Sequence, residues 1–155
     1  MIAGLPLIYL TYMFVSLYML FFFIIIFFKS VGTMYTFPVP KRKYTISVLI
    51  PAKNEEDSIQ GTIEALLGSE YALEEIIVIN DGSTDGTGGI VFGMMKKHAF
   101  IRLITHDVSL GKAASLNDGI KIAKGELIAV VDSDSFPSRD AIGKMAGHFD
   151  DPLVG

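Results

Sequence analysis

Two aspartates, Asp132 and Asp134, come directly after a run of apolar residues and are separated by one serine. The apolar run at 128–131 is typical of a buried strand, which would place both carboxylates at the end of that strand. Carboxylates this close repel each other unless a cation or a proton lies between them. The pair therefore predicts a charged ligand, provided that other polar residues face the same place.

Polar residues follow every apolar run of this kind in the chain. The clusters are PAKNEED at 51–57, NDGSTDGT at 80–87, THDVSLGK at 105–112 and DSDS at 132–135. Ligands of parallel α/β sheets bind beyond the carboxyl ends of the strands. Because all four clusters follow strands, we expect them to meet in one ligand cleft at one edge of a sheet.

Some of these residues have a local alternative to ligand binding. Asp81 and Asp85 could each close an Asx turn; ligand contact is favoured for Asp81 and left open for Asp85. Glu56 and Asp57 are interpreted as first-turn acids that face a helix dipole. Lys112 is predicted at a helix start, where the dipole disfavours positive charge, so an anionic ligand is expected beside it.

The segments that position these residues alternate between two hydrophobic periods. Runs rich in β-branched residues predict strands at 45–52, 75–81, 101–105 and 126–132. Apolar residues recur at helical spacing between and after them, with Asn54 as the cap of the first helix. The residues expected to face the core from these helices are Ile59, Ile63, Leu66, Leu67, Ile90, Val91, Met94, Met95, Ala113, Leu116, Ile120, Ala123, Ile142, Met145, Ala146 and Phe149. This order predicts an α/β fold with a mostly parallel sheet covered on both faces.

Composition limits the classes of protein that fit. The 155 residues are half hydrophobic, have a formal net charge of -4 and include no cysteine. A nucleic-acid partner would need clustered Lys and Arg, so none is expected. The lack of cysteine excludes a disulfide framework, a thiolate metal site and a cysteine nucleophile. The histidines His98, His106 and His148 have no ligand-like spacing and are interpreted as structural or surface residues.

The N-terminal part of the chain differs in character from the rest. Residues 5–28 form an uncharged apolar run of 24 residues, long enough as a helix to cross the ~30 Å hydrocarbon core of a bilayer. The run lacks the basic start and small-residue cleavage site of a signal peptide. Residues 1–29 are therefore predicted to be a single transmembrane anchor.

Charge around this run predicts the orientation of the anchor. The basic residues that follow it are Lys29, Lys41, Arg42 and Lys43. The positive-inside rule then places the residues after the anchor on the cytoplasmic side of the cell membrane. Residues 30–44 are interpreted as a juxtamembrane linker that could contact anionic lipid headgroups, and residues 45–155 as the folded domain.

The order of the motifs resembles glycosyltransferase family 2, whose catalytic domain has the GT-A fold. The motifs are PAKNEE, NDGSTDGT, GKAASLNDGI and a strand that ends in VDSDS. The resemblance covers residues 45–155, and a membrane helix before the domain is similar to members that make polysaccharides or glycolipids. It implies a Rossmann-like sheet flanked by helices, and transfer of a sugar from a nucleotide-diphospho-sugar to a glycan or lipid-linked acceptor.

The resemblance also implies roles for individual residues. Asp81 would contact the base and ribose, so Asp81→Ala would weaken nucleotide binding and leave the fold intact. Asp132 and Asp134 would hold Mg²⁺ or Mn²⁺ on the diphosphate, and the ion would relieve their repulsion. A UDP-sugar is the preferred donor and a GDP-sugar the alternative. The residues implied in the donor pocket are Pro51, Ala52, Asn54, Glu55, Asp81, Lys112 and Asp132.

Three alternatives belong to other classes of protein. A strand followed by D-x-D also begins haloacid-dehalogenase phosphatases, but Phe136 replaces the expected Thr or Val and three strands precede the motif. DGSTDG is similar to half of a calcium loop, but Phe92 stands where a bidentate Glu is required. The third alternative, a membrane-anchored non-catalytic module that binds nucleotide-sugars or a partner protein, stays open.

Whether the chain is an enzyme or this non-catalytic module depends on the residues that bind the acceptor, which in family members follow the donor-binding part of the domain. Family members continue to an acidic catalytic base and, in polymer-forming members, to a Q-x-x-R-W motif, and neither is found up to Gly155. We therefore expect the chain to be the truncated, donor-binding part of a GT-A domain with its anchor, and the base to lie beyond Gly155. A base must reach the acceptor hydroxyl, so the chain alone is not expected to transfer sugar.

Overall fold

The computed structural model describes residues 5–34 and 36–154. By internal contacts the chain divides into two compact units, Met1–Phe37 and Pro38–Gly155. Parts of the predicted anchor, linker and domain lie outside the described residues. The catalytic base expected beyond Gly155 lies outside them as well. The undescribed positions are residues 1–4 of the anchor, Tyr35 of the linker and Gly155 of the domain.

The first unit contains the helix α1 (Leu5–Met34), which extends past the predicted end of the anchor at residue 29. Its segment Pro6–Gly32 includes an 18-residue window with a mean hydropathy of 2.4, and no residue of that window is buried among the described residues. A helix of this length and composition is able to cross a bilayer.

The second unit alternates strands and helices in the predicted order. The elements are β1 (Ile46–Ala52), α2 (Ile59–Leu67), β2 (Glu75–Asp81), α3 (Thr87–Met95), β3 (Ile101–His106), α4 (Lys112–Ile122), β4 (Leu127–Val130), α5 (Ala141–Ala146) and a 3-10 turn at Gly147–Asp150. Each strand lies within two residues of its predicted bounds. The hydrophobic period therefore identified the type and place of each strand.

The strands form a parallel sheet in the order β3-β2-β1-β4. Val48 on β1 is in register with Ile76 on β2 and with Ala129 on β4. Each connecting helix returns the chain to the edge where the next strand begins. The carboxyl ends of the strands therefore lie at one edge of the sheet, and the predicted α/β architecture is confirmed.

The two faces of the sheet are covered unequally. On one face, Val48 and Ile50 are fully buried in a core to which α2, α3 and α5 contribute. On the other face, Leu49, Ile77 and Ile79 pack against residues of α4. Successive side chains of a strand point to opposite faces, so the same apolar strand supplies both cores.

Helix α4 contacts the sheet through a side that matches the prediction only in part: Leu116 and Ala123 pack against the core as expected. Ala113 and Ile120 were expected in the core but are exposed. Gly119 is buried instead, and a Cβ placed on it would lie 3.1 Å from the side chains of Leu49 and Ile79. Because glycine has no side chain, the helix lies close to the sheet at this point, and the two apolar residues face outward.

Helix α5 buries Ile142 and Ala146 as predicted, but Met145 is 48% exposed and Phe149 is 37% exposed. Phe149 lies in the 3-10 turn after the helix, where the angular spacing of side chains differs from that of an α-helix. Both exposed residues line a groove of about 200 Å³ beside β4. They border the core without being enclosed by the described residues.

The loop between β1 and α2 is longer than predicted. Helix α2 begins at Ile59 with Ser58 as its N-cap residue, so the prediction that Asn54 caps this helix is wrong. Asn54 has φ of 55°, in the left-handed region. Glu56 and Asp57 precede the first helical turn, so their interpretation as first-turn acids is wrong too.

The last residue of the predicted linker is part of the folded unit. Tyr44 is buried, its backbone N–H donates to the Tyr71 hydroxyl at 2.8 Å, and its own hydroxyl donates to Asp150 Oδ1 at 2.9 Å. These contacts fix Tyr44 to the folded domain just before β1 begins.

Candidate functional site

A cavity of about 480 Å³ lies at the carboxyl ends of the central strands. Its lining residues are Pro51, Ala52, Lys53, Glu55, Asp81, Ser109, Gly111, Lys112, Asp132, Ser133 and Asp134. They include seven of the eight residues predicted to bind donor or metal, and Asn54 is the exception. A second cavity of about 620 Å³ shares Lys112 and Asp132 with the first. The strand ends thus bring the predicted residues together.

The loops after β1 and β2 hold each other at this edge through reciprocal hydrogen bonds. The Thr84 N–H donates to Asn54 Oδ1 at 2.9 Å. The Glu56 N–H donates to Asp85 Oδ2 at 3.1 Å, and the Gly86 N–H donates to Glu56 Oε2 at 2.6 Å. Asn54 and Asp85 therefore shape the rim of the cavity by joining two loops.

Between these loops, Glu55 is held at the cavity by contacts with both of them. Its carboxylate accepts a hydrogen bond from the Ser58 hydroxyl at 2.6 Å, and its backbone N–H donates to Thr87 Oγ1 at 2.8 Å. Pro51 and Ala52, the last residues of β1, complete this side of the lining.

Asp81, at the end of β2, is 5% exposed and accepts four hydrogen bonds. Its Oδ1 lies 2.9 Å from His106 Nδ1 and accepts the Leu110 N–H at 2.8 Å. Its Oδ2 accepts the Ser109 hydroxyl at 2.7 Å and the Gly111 N–H at 2.9 Å. Burial by itself raises the pKa of this carboxyl, but the four hydrogen bonds outweigh burial and hold the pKa well below its ordinary value. Asp81 is therefore an ionised anchor for the loop before α4, and its replacement should affect the fold as well as binding.

Lys112 and Asp132 form an ion pair inside the cavity. Lys112 is the first residue of α4, as predicted, and the preceding Gly111 has φ of 89°, a left-handed conformation that favours glycine. The Ser135 N–H donates to the Asp132 carbonyl oxygen at 3.0 Å, which closes a turn with Asp134 inside it. The side chains of Lys112 and Asp132 are 58% and 55% exposed, so both are open to a ligand.

His106 is the neighbour of the cavity that sequence reasoning missed. Its ring is 10% exposed and lies between Asp81 and Asp118, with Nε2 3.3 Å from Asp118 Oδ2. His98 and His148 are not among the residues that line the cavity. The sequence did contain an indication of this location. His106 comes at the end of the apolar run of β3, and the carboxyl end of that strand lies at the same edge of the sheet as the cavity.

The carboxylates of Asp132 and Asp134 are the kind of ligand that Mg²⁺ and Mn²⁺ bind. Both line one cavity, and Asp132 already takes the Lys112 ammonium as its cationic partner. Among the residues that the structure describes, no group of three or more His, Asp or Glu is placed to hold a metal ion by itself. The two carboxylates are therefore the right type of ligand for such a cation but do not form a complete metal site by themselves.

Comparison with known sequences identifies relatives of the second unit. The family model described as "Glycosyl transferase family 2" matches residues 47–155. A poly-beta-1,6-N-acetyl-D-glucosamine synthase of Staphylococcus epidermidis is 41% identical over 96 residues, which are 62% of this chain and 23% of the synthase. The probable glycosyltransferase YdaM of Bacillus subtilis is 39% identical over 102 residues, which are 63% and 24% of the two chains. The chain spans about a quarter of the length of these curated relatives.

Solved structures show the same fold. The mannosyltransferase PcManGT from Pyrobaculum calidifontis, in complex with GDP-Man and Mn²⁺, superposes with a TM-score of 0.73 at 25% identity, over 85% of this chain and 41% of the other. TarS 1-349 of S. aureus, in complex with UDP-GlcNAc, has a TM-score of 0.62 at 26% identity, over 68% and 31%. The predicted GT-A fold is confirmed. Together with the match over residues 47–155, these likenesses confirm the resemblance found in the motifs: the chain belongs to glycosyltransferase family 2.

Proposed function

We propose that this chain binds a nucleotide-diphospho-sugar together with a divalent cation, for transfer of the sugar to a glycan or lipid-linked acceptor at the cytoplasmic face of the membrane. The observation that supports the proposal best is the cavity at the carboxyl ends of the strands, where an ammonium group and several carboxylates from separate elements line one space. Family membership makes sugar transfer the reaction to test first.

Lys112 is proposed to bind the diphosphate. It begins α4, where the helix dipole and the free backbone N–H groups favour an anion. Its ion pair with Asp132 is exposed, and an exposed ion pair contributes only ~0–1 kcal/mol. A phosphate group can therefore replace Asp132 as the partner of Lys112 at little cost.

Asp132 and Asp134 are proposed to hold Mg²⁺ or Mn²⁺ beside the diphosphate. When bound, the cation stabilises the negative charge that develops on the leaving diphosphate. The two residues place carboxyl groups just after β4, next to Lys112, and a cation between them would relieve their mutual repulsion.

The nucleoside is proposed to lie at the ends of β1 and β2, against Pro51, Ala52, Glu55 and Asp81. Asn54 would act indirectly, by joining the two loops that border this part of the cavity. A UDP-sugar is the preferred donor and a GDP-sugar the alternative. Structures of relatives in complex with UDP-GlcNAc and with GDP-Man support either nucleotide.

The helix α1 is proposed to anchor the domain in the cell membrane as a single span. Its length and apolar composition support the anchor. Basic residues that follow the apolar run support a cytoplasmic location for the domain, because such residues are enriched on that side. They are Lys29, Lys41, Arg42 and Lys43.

Titration calorimetry of the full chain in detergent micelles, with UDP and a UDP-sugar, tests the proposal. We expect binding with Mg²⁺ to be at least about tenfold tighter than with a chelator, which corresponds to ~1.4 kcal/mol. Equal affinity in both conditions would contradict the metal site. No binding of UDP, GDP or their sugars in either condition would contradict the proposed function as a whole.

Variants of the cavity carboxylates sharpen this test. Asp132→Asn and Asp134→Asn should each remove most of the dependence on Mg²⁺, because a neutral amide is a weaker ligand for a hard cation. Asp57→Asn is the matched control, since Asp57 is an exposed carboxylate that does not line the cavity. It should bind UDP like the wild type.

A further inference from the structure

The two cavities at the strand ends meet at Lys112 and Asp132, which line both of them. Asp81 and the other residues proposed to contact the nucleoside line the first cavity only. The second cavity, of about 620 Å³, is lined instead by the end of β4 and by Phe136 and Pro137 in the segment that follows it. The pair of Lys112 and Asp132 is therefore the border between the two spaces.

Phe136 presents most of its ring to solvent at the second cavity. Its side chain is among the exposed large hydrophobic groups, with 63% of the residue accessible. Among the described residues, Phe136 belongs to neither of the two hydrophobic clusters that cover the sheet. Core packing therefore does not account for an aromatic ring at this place.

Contacts with helix α2 nevertheless fix the position of the ring. A Cβ placed on Gly61 would lie 2.6 Å from Phe136 Cε1, so the ring occupies the space that a side chain on Gly61 would fill. At the next residue of the helix, the Thr62 hydroxyl donates to the Ser133 carbonyl oxygen at 2.7 Å in a buried hydrogen bond. Pro137 also restricts the backbone of the residue before it. The ring is therefore placed before any ligand binds, which lowers the entropic cost of a contact with one.

The chemistry of the proposed donor matches the order of the two cavities. A nucleotide-diphospho-sugar carries its nucleoside at one end and its sugar at the other, with the diphosphate between them. If the diphosphate lies on Lys112 and the nucleoside lies in the first cavity, the sugar reaches the second cavity. The face of an aromatic ring attracts C–H groups, and one face of a pyranose is made of such groups.

We propose that Phe136 is a specificity-determining residue for the donor, whose ring packs against the sugar of the nucleotide-diphospho-sugar in the second cavity. The contact adds to the affinity for the sugar-carrying donor and leaves the affinity for the nucleotide alone unchanged. This inference rests on the proposed function, because the place of the diphosphate at Lys112 is taken from it.

Calorimetry of the full chain in detergent micelles, with UDP and with UDP-GlcNAc at constant Mg²⁺, tests this role. Phe136→Ala should lower the affinity for UDP-GlcNAc roughly fivefold, because an aromatic contact is lost. Its affinity for UDP should stay that of the wild type, which also shows that the variant is folded. Phe136→Tyr keeps the ring and should bind both ligands like the wild type. The matched control is Phe92→Ala, because Phe92 is 53% exposed on α3 and lines neither cavity. It should leave both affinities unchanged.

A second variant displaces the ring without removing it. In Gly61→Ala the new methyl group would take the space of the Phe136 ring edge, and the ring would have to move. The affinity for UDP-GlcNAc should fall while the affinity for UDP is kept. Wild-type affinity for both ligands in Gly61→Ala would overturn the positioning of the ring by helix α2.

Three other outcomes would contradict the proposal. A purely structural role of Phe136 would weaken UDP and UDP-GlcNAc equally in Phe136→Ala, and equal losses would overturn it. Unchanged affinity for UDP-GlcNAc, with weaker binding of a soluble N-acetylglucosamine oligosaccharide, would assign the ring to the acceptor and overturn its role at the donor. Absence of UDP and UDP-GlcNAc binding by the wild type would instead overturn the proposed function, and the role of Phe136 would fall with it.

Discussion

The ends of β2 and β4 both present aspartates to one cavity but hold them in opposite ways. At the end of β2, Asp81 is almost fully buried and accepts four hydrogen bonds from the protein. At the end of β4, the Asp132 side chain is more than half exposed and pairs with Lys112. A carboxylate that accepts four hydrogen bonds from the protein is fixed in place before any ligand binds, whereas an exposed one can exchange a lysine for a metal ion.

One cavity therefore combines a preformed part with an exchangeable part. Asp81 fixes the loop before α4 prior to any ligand, and that loop carries Lys112. Asp132 and Asp134 keep their carboxylates available, which is where the proposal places the cation. Substitutions at the two strand ends should therefore separate effects on folding from effects on binding.

The largest expected effect is on stability at the end of β2. Asp81→Ala should lower the free energy of unfolding by about 2 to 4 kcal/mol, because it removes an ionised acceptor and leaves buried donors without a partner. Asp132→Ala should change it by no more than about 1 kcal/mol, since its ion pair is exposed. Denaturant unfolding of the full chain in detergent measures both. Similar losses in the two variants would show that the ends of β2 and β4 do not differ in the way described.

A smaller effect is expected from Lys112→Met, which tests the exchangeable part. UDP affinity with Mg²⁺ should fall roughly tenfold, or ~1.4 kcal/mol, because the diphosphate loses an ammonium partner. Stability should change little, because the pair with Asp132 is exposed. Lys97→Met, a change at an exposed lysine outside the cavity, is the control for calorimetry. Undiminished affinity in Lys112→Met would leave the lysine as a structural partner of Asp132 alone.

The smallest expected effect is the acid dependence of the Asp81 anchor. Its pKa in the folded chain lies below its value in the unfolded chain, so its contribution to stability is present above about pH 4 and is lost as the pH falls below that value. The difference in unfolding free energy between the wild type and Asp81→Asn should therefore shrink from neutral pH toward about pH 3. Other carboxylates with lowered pKa, such as Glu75, contribute equally to both chains and cancel in the difference. A gap that stays constant or grows would argue against an ionised Asp81.

The site could be predicted from the sequence as far as it depends on where strands end. Asp81, Lys112 and Asp132 occupy the expected edge because a parallel sheet with helical crossovers brings its carboxyl ends together. The contacts of His106 could not be predicted in this way. Its partners Asp81 and Asp118 lie 25 residues before it and on the following helix, and the contact depends on β3 being the neighbour of β2.

Patterns within a few residues were enough to establish the strands, the helices, the apolar first helix and the polar clusters after the strands. These features depend on hydrophobic period and composition, which are local properties of a chain. Packing alone decided that α4 rests on the sheet through Gly119, and that Asn54 joins two loops instead of capping a helix. The same is true of the burial of Asp81 and the exposure of Asp132, because the donors that surround a carboxylate come from segments far apart in the sequence.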